Sequence, residues 1–167
     1  LQLATAIDAT SKRHYPNLGQ RKRYCDYLHK HQEDMFLIAT SGTLVILGGF
    51  GNPVTKEVIR IADAIYTVRC ASIHDPEELG SLVSFVNEGK FGFDQEGRFL
   101  VNSGMLTALA LLVLTDPANR SSLDKVELKR FGGLQHGTVR IDLAACIGGR
   151  ARLMAVYREL HKQAPRS

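Results

Sequence analysis

Apolar residues open the chain at Leu3, Ala4 and Ile7, a spacing that predicts a first helix ending before Tyr15-Pro16-Asn17-Leu18-Gly19. A second helix is expected from about Gln20 to about Asp34, with Tyr24, Leu28 and Met35 on its apolar side and a strongly basic outer side. Residues 35–40 and 43–47 are short apolar runs with β-branched residues, and Ser41-Gly42 between them suits a two-residue hairpin turn. Both faces of these runs are apolar, so they are expected to be central strands of a sheet covered on both sides. Asn52-Pro53 then has the form of an N-cap followed by Pro at the first helical position. Val54, Val58, Ile61, Ile65 and Val68 follow at intervals of four, three, four and three, which predicts a helix over residues 53–70. A competing reading ends that helix near Asp63 and makes residues 65–70 a strand.

Asp75-Pro76-Glu77-Glu78 combines an N-cap, Pro at the first position and acids in the first turn, so it predicts a further helix. Leu79, Leu82, Val83 and Val86 would form its buried stripe, and Gly89 its stop. A hairpin is expected from Phe91-Gly92-Phe93 through the turn Asp94-Gln95-Glu96-Gly97 to residues 98–101. Residues 105–114 are apolar all round, as a buried core helix would be. A last hairpin over residues 125–131 and 138–143 and an amphipathic helix after Gly148-Gly149 complete the pattern. The expected fold is a single α+β domain over residues 1–167. It has a basic helical part at 1–34 and a sheet-containing core at 35–167. The core is built on a central, hairpin-based and mostly antiparallel sheet, with helices at the N-terminus, between hairpins and at the C-terminus.

With 167 residues, 44% hydrophobic and 23% charged, the chain has the make-up of a folded domain rather than a disordered segment. Cys25, Cys70 and Cys146 are odd in number and widely spaced, which fits reduced thiols better than a disulfide framework. Residues 35–55 are 21 positions without a charge, but the run Gly48-Gly49-Phe50-Gly51-Asn52-Pro53 argues against a spanning helix. No secretory pattern opens the chain, so an intracellular, cytoplasmic protein without membrane contact is expected. The net charge of +4 is unevenly spread. Residues 1–31 carry six Lys/Arg against Asp8 and Asp26, residues 32–119 carry five against eleven acids, and residues 120–167 carry ten against four. Two basic ends flank an acidic middle.

Four groups of residues could carry chemistry. Gly48, Gly49, Gly51 and Asn52 form a glycine-rich corner that would suit a nucleotide phosphate if a strand led directly into a helix there. The third glycine of a dinucleotide fingerprint is replaced by Val54, and no Gly-Lys-Ser/Thr occurs. Glu127-Leu128-Lys129 has the acid-x-Lys form of metal-dependent nucleases, with Asp94, Asp116 or Asp124 as possible partners. A hairpin that sets Glu127 against Arg140 and Lys125 against Asp142 accounts for the same charges structurally. His136-Gly137-Thr138 is one half of a phosphoesterase pair that needs two, and no other histidine supplies the second.

The fourth group is the basic N-terminal segment. Lys12, Arg13, Arg21, Lys22, Arg23 and Lys30 would neutralise phosphates, Tyr27 would stack on a base, and Arg150 and Arg152 would add to the contact. The expected function is therefore a non-enzymatic binding protein whose basic ends contact a polyanion, nucleic acid foremost. It needs no cofactor, metal or catalytic residue. The alternatives are a protein-interaction or self-assembling homo-oligomeric module, and a small nucleotide-binding or metal-dependent phosphate-chemistry enzyme.

Overall fold

The computed structural model describes residues 2–40, 48–75, 77–87, 90–119 and residue 155. Helix α1 (Gln2–His14) ends on Lys12, Arg13 and His14, and the Lys and Arg cations suit the negative end of the helix dipole. Helix α2 (Gln20–Lys30) follows the short turn at residues 15–19, and helix α3 (Gln32–Ala39) follows α2 after a break at His31. Charge placement suits the break: Lys30 lies in the last turn of α2, and Glu33 and Asp34 lie in the first turn of α3, each at the helix end that favours it.

Residues 35–39 thus belong to a helix and not to a strand, which corrects the sequence reading. Met35, Phe36 and Ile38 are all fully buried, and α3 packs on helix α6 (Ser103–Leu114). The axes come close at Gly104, where an added Cβ would lie 2.5 Å from the carbonyl oxygen of Ala39. Asn102 starts α6: its Oδ1 accepts from the Met105 amide at 2.8 Å and its Nδ2 donates to the Lys90 carbonyl at 2.8 Å. The expectation of a buried core helix over residues 105–114 matches α6.

The helix expected over residues 53–70 is replaced by a hairpin and a later helix. Strands β1 (Gly49–Gly51) and β2 (Val58–Arg60) pair antiparallel, with Phe50 opposite Ile59. Asn52 does act as a cap, but of the connecting turn. Its Oδ1 accepts from the amides of Val54 (2.9 Å) and Thr55 (3.1 Å), and its Nδ2 donates to the Gly97 carbonyl at 3.2 Å. Val54 and Val58 are exposed, so the helical period through them has no structural counterpart. Helix α4 (Ile61–His74) takes up the rest of that run and continues past Cys70.

Asp75 accepts from the Glu78 amide at 3.1 Å, as a helix start should. However, the helix there, α5 (Leu79–Leu82), is one turn long, and the expected stripe at Val83 becomes strand β3 (Val83–Phe85). Strand β4 (Phe99–Val101) lies parallel to β3, with Val83 opposite Phe99. The turn before β4 has the expected hairpin character. The Asp94 amide donates to the Arg98 carbonyl at 2.9 Å, and Phe93 bridges Phe99 antiparallel. A 3-10 turn (Pro117–Asn119) closes α6.

The chain is therefore α+β. In place of a central, mostly antiparallel sheet, the described residues hold two separate two-stranded ladders, one antiparallel and one parallel. The turn at Ser41-Gly42, the strand at 43–47, the last hairpin and the final helix lie outside the described residues. Among the described residues no helix is long and apolar enough to cross a membrane.

The approach of α3 to α6 makes a direct prediction. Gly104→Ala drives a methyl group into backbone rather than into a flexible side chain, so it should lower stability by about 2 kcal/mol. Urea unfolding checks this, and a loss below about 0.5 kcal/mol would show that the crossing can relax.

Candidate polyanion surface and its buried polar clusters

The basic segment divides into an outward and an inward set. Lys12, Arg21, Lys22 and Lys30 are exposed on α1 and α2. Arg21 pairs with Asp63 at 3.3 Å, and Lys22 pairs with Asp26 at 2.8 Å one turn along its own helix. Arg13 is pinned to the 3-10 turn, donating to the Ala118 carbonyl at 3.1 Å and to Asn119 Oδ1. Arg23 turns inward to Asp8, and Tyr27 is buried in the core. Tyr27 therefore offers no face on which a base could stack. Arg150 and Arg152 lie outside the described residues, as do Glu127, Lys129 and His136.

Of the expected nucleotide corner, Gly49 and Gly51 lie in β1 and Asn52 in the hairpin turn, with Gly48 just before them. No helix starts there, and residues 65–70, the expected parallel strand of that unit, lie inside α4. The strand-to-helix geometry that a phosphate cradle would use is absent from this corner.

The start of α2 concentrates positive charge where the helix already presents it. Its N-cap, Gly19, has no side chain to cap with, and its first turn holds Arg21, Lys22 and Arg23 and no acid. Each cation there opposes the dipole by some tenths of a kcal/mol. Neighbouring carboxylates are shared rather than matched. Asp63 accepts from Arg60 Nε at 2.7 Å as well as from Arg21. Asp8 takes Arg23 at 3.1 Å, Arg69 at 3.6 Å and the Gln20 amide at 2.9 Å. Four arginines thus rest on two acids at the junction of α1, α2 and α4. Burial works against the Asp63 charge, but the bonds from Arg60 and Arg21 outweigh it and hold the carboxyl below its ordinary range. Burial, helped by the Asp63 charge, pushes the nearby Cys25 thiol up to about 11.

A second cluster was invisible in the sequence because its members are about a hundred positions apart. His14 Nε2 lies 2.8 and 2.9 Å from the two oxygens of Asp116, whose side chain is 2% exposed. The Tyr27 hydroxyl donates to the same carboxylate at 3.1 Å, and the Ala118 amide does so at 2.9 Å. Burial first, and then the Asp116 charge, raises the Tyr27 hydroxyl far above its ordinary range, so it remains a donor. The His14–Asp116 pair resembles half of a catalytic triad in form. Yet no Ser, Thr or Cys side chain bonds the imidazole among the described residues, and the cluster acts as a fastener between α1, α2 and the end of α6.

Among the described residues no group of three or more His, Cys, Asp or Glu is placed to hold a metal ion. Comparison with protein-family models, with curated proteins and with solved structures returns no match to this chain. The functional reading therefore rests on this geometry.

Two outcomes are expected. Asp116→Ala removes the acceptor of a half-buried imidazole, a buried phenol and a backbone amide, and should cost about 3 kcal/mol in denaturant unfolding. A cost under 1 kcal/mol would mean that water replaces the carboxylate. Asp63 titrates lower when folded than when unfolded. Its stabilising contribution is therefore present above the unfolded carboxyl range and is lost as pH falls through the folded value. Asp63→Asn should flatten the acid side of the stability–pH curve while leaving its alkaline side in place. An unchanged acid limb contradicts the assignment.

Proposed function

We propose that the chain is a binding protein that contacts a polyanion, nucleic acid foremost, through the cations at the α1, α2 and α4 junction. The observation that carries this reading is the sharing of carboxylates: Arg21 and Arg60 on Asp63, and Arg23 and Arg69 on Asp8. A domain that needed these arginines only for internal ion pairs would supply one acid for each. The excess stands beside the uncapped start of α2, where backbone amides and dipole also favour an anion. Lys12, Lys22 and Lys30 extend the positive surface along α1 and α2, and Arg150 and Arg152 belong to the same proposal from the second basic end of the sequence.

With Tyr27 in the core and Tyr24 fully buried, base stacking has no platform on α2. The mode that remains is contact with the phosphate backbone, which is salt-dependent and indifferent to sequence. Titration of labelled single- and double-stranded oligonucleotides at two salt concentrations tests it. Binding should weaken steeply with salt. The double variant Lys22→Ala/Lys30→Ala should lower the slope of log K against log salt by about 1 to 2. No binding at low salt, or binding that salt leaves unchanged, ends this reading.

A further inference from the structure

We infer that Arg23 and Arg69 form an anion site of their own, which takes one oxyanion of the phosphate class at the junction of α1, α2 and α4. The Arg69 side chain is 10% exposed and that of Arg23 is 15%. A buried guanidinium normally spends its five donors on oxygen acceptors. Among the described residues Arg69 reaches no oxygen at hydrogen-bond distance: Asp8 is 3.6 Å away, and the Cys70 sulfur lies at 3.9 Å. Among the same residues Arg23 bonds Asp8, at 3.1 Å. The Nε atoms of both arginines and the hydroxyl of Tyr24 are buried with no hydrogen-bond partner.

The neighbours hold this arrangement in place. Arg69 stacks over the Tyr66 ring, 5.8 Å from its centroid, and Tyr66 meets Tyr24 edge-on with centroids 5.4 Å apart. Burial pushes the Tyr24 hydroxyl well above its ordinary range, so it stays protonated and can donate. Helices α2 and α4 thus contribute donors here, and among the described residues the acid paired with both arginines is Asp8 of α1, already shared with Gln20. Two cations against one carboxylate leave one positive charge uncompensated in a poorly hydrated setting, where it is costly. A ligand matching this set carries negative charge and several acceptor oxygens. A tetrahedral phosphate group has both, and two guanidinium forks suit it. Gln20, bonded to Asp8, is exposed, and a ligand would draw Arg69 from its loose ion pair with Asp8.

The phosphate could be free inorganic phosphate, a phosphomonoester or part of a polyanion backbone, and the test separates these. Inorganic phosphate is titrated into the full chain at constant ionic strength, with chloride as the reference. Melting temperature and the arginine Nε–H resonances are followed by NMR. A saturable rise in melting temperature is expected, with two Nε–H signals moving together and one of them missing in Arg69→Lys. In Asp8→Asn, removal of the competing carboxylate should tighten phosphate binding about tenfold. No saturable response in the native chain overturns the site. So does a melting-temperature rise that survives in Arg69→Lys with the remaining arginine signal unmoved, because generic exclusion of phosphate from protein surfaces gives that pattern. If Arg69→Lys does not fold, the native titration and Asp8→Asn decide: Asp8→Asn without tighter binding means that the arginines only hold Asp8. An oligonucleotide that binds through Lys22 and Lys30 but does not compete with phosphate leaves this site standing for a free or monoester phosphate. Phosphate binding without any oligonucleotide binding leaves it standing while the polyanion reading fails.

Discussion

The close crossing of α3 over α6 is the constraint around which the described residues are arranged. Gly104 lets the α6 backbone approach the carbonyl of Ala39, and that approach buries Phe36 and Ile38 on one side and Met105 and Ala108 on the other. Fixing α6 fixes both of its ends. Asn102 ties the first turn to the Lys90 carbonyl, and so to the segment leading into β4. Asp116 ties the last turn to His14 at the end of α1 and to Tyr27 in the last turn of α2. The two basic helices are thereby oriented by a carboxylate at the far end of a hydrophobic rod. Their solvent-facing cations follow from which sides α6 and α4 claim.

How much of this the sequence reveals depends on whether a segment has one apolar side or two. Helices α1 and α2 are amphipathic, and the positions of Ile7, Tyr24 and Leu28 read directly as buried. Helix α6 is long enough that uniform apolarity itself indicates a core helix. Residues 35–39 are also apolar on every side but too short to show a period, and a buried strand and a buried helix look alike at that length. The useful signal was the change from His29-Lys30 to Glu33-Asp34, which marks the end of one helix and the start of another. At Asn52-Pro53 the ambiguity is chemical: an Asn side chain that caps two backbone amides is the same device in a helix start and in a hairpin turn. Only the exposure of Val54 and Val58 distinguishes them.

The candidate surface was legible as charge and not as geometry. Counting cations picked out the basic helices, but it could not tell that Arg23 and Tyr27, four apart, both face inward while Lys22 and Lys30 face out. The inward pair is decided by partners on other elements, Asp8 for Arg23 and Asp116 for Tyr27, at separations of 15 and 89 residues. The sharing of one acid between two arginines is equally a property of the assembled helices. Arg69 belongs to a stretch that, by sequence, could have been strand or helix.

The carboxylates of Asp116, buried, and Asp8, half-buried, show why one cluster reads as a fastener and the other as a place for a ligand. Asp116 is close to saturated: it accepts from an imidazole, a phenol and a backbone amide, and the groups around it, Asn119 and Thr10 among them, bond one another in turn. A network with every member satisfied holds one arrangement and gains little from any added molecule. Asp8 is the reverse. It has oxygens enough for Gln20 and one arginine, yet two arginines and a phenol crowd it, and three buried donors there have no acceptor. Both clusters lie between α1 and α2, Asp116 at the last residue of α1 beside the end of α6, and Asp8 near the middle of α1 beside α4. Their difference is a deficit of acceptor oxygen and negative charge on one side only. A bound oxyanion removes that deficit, and better packing of the helices does not.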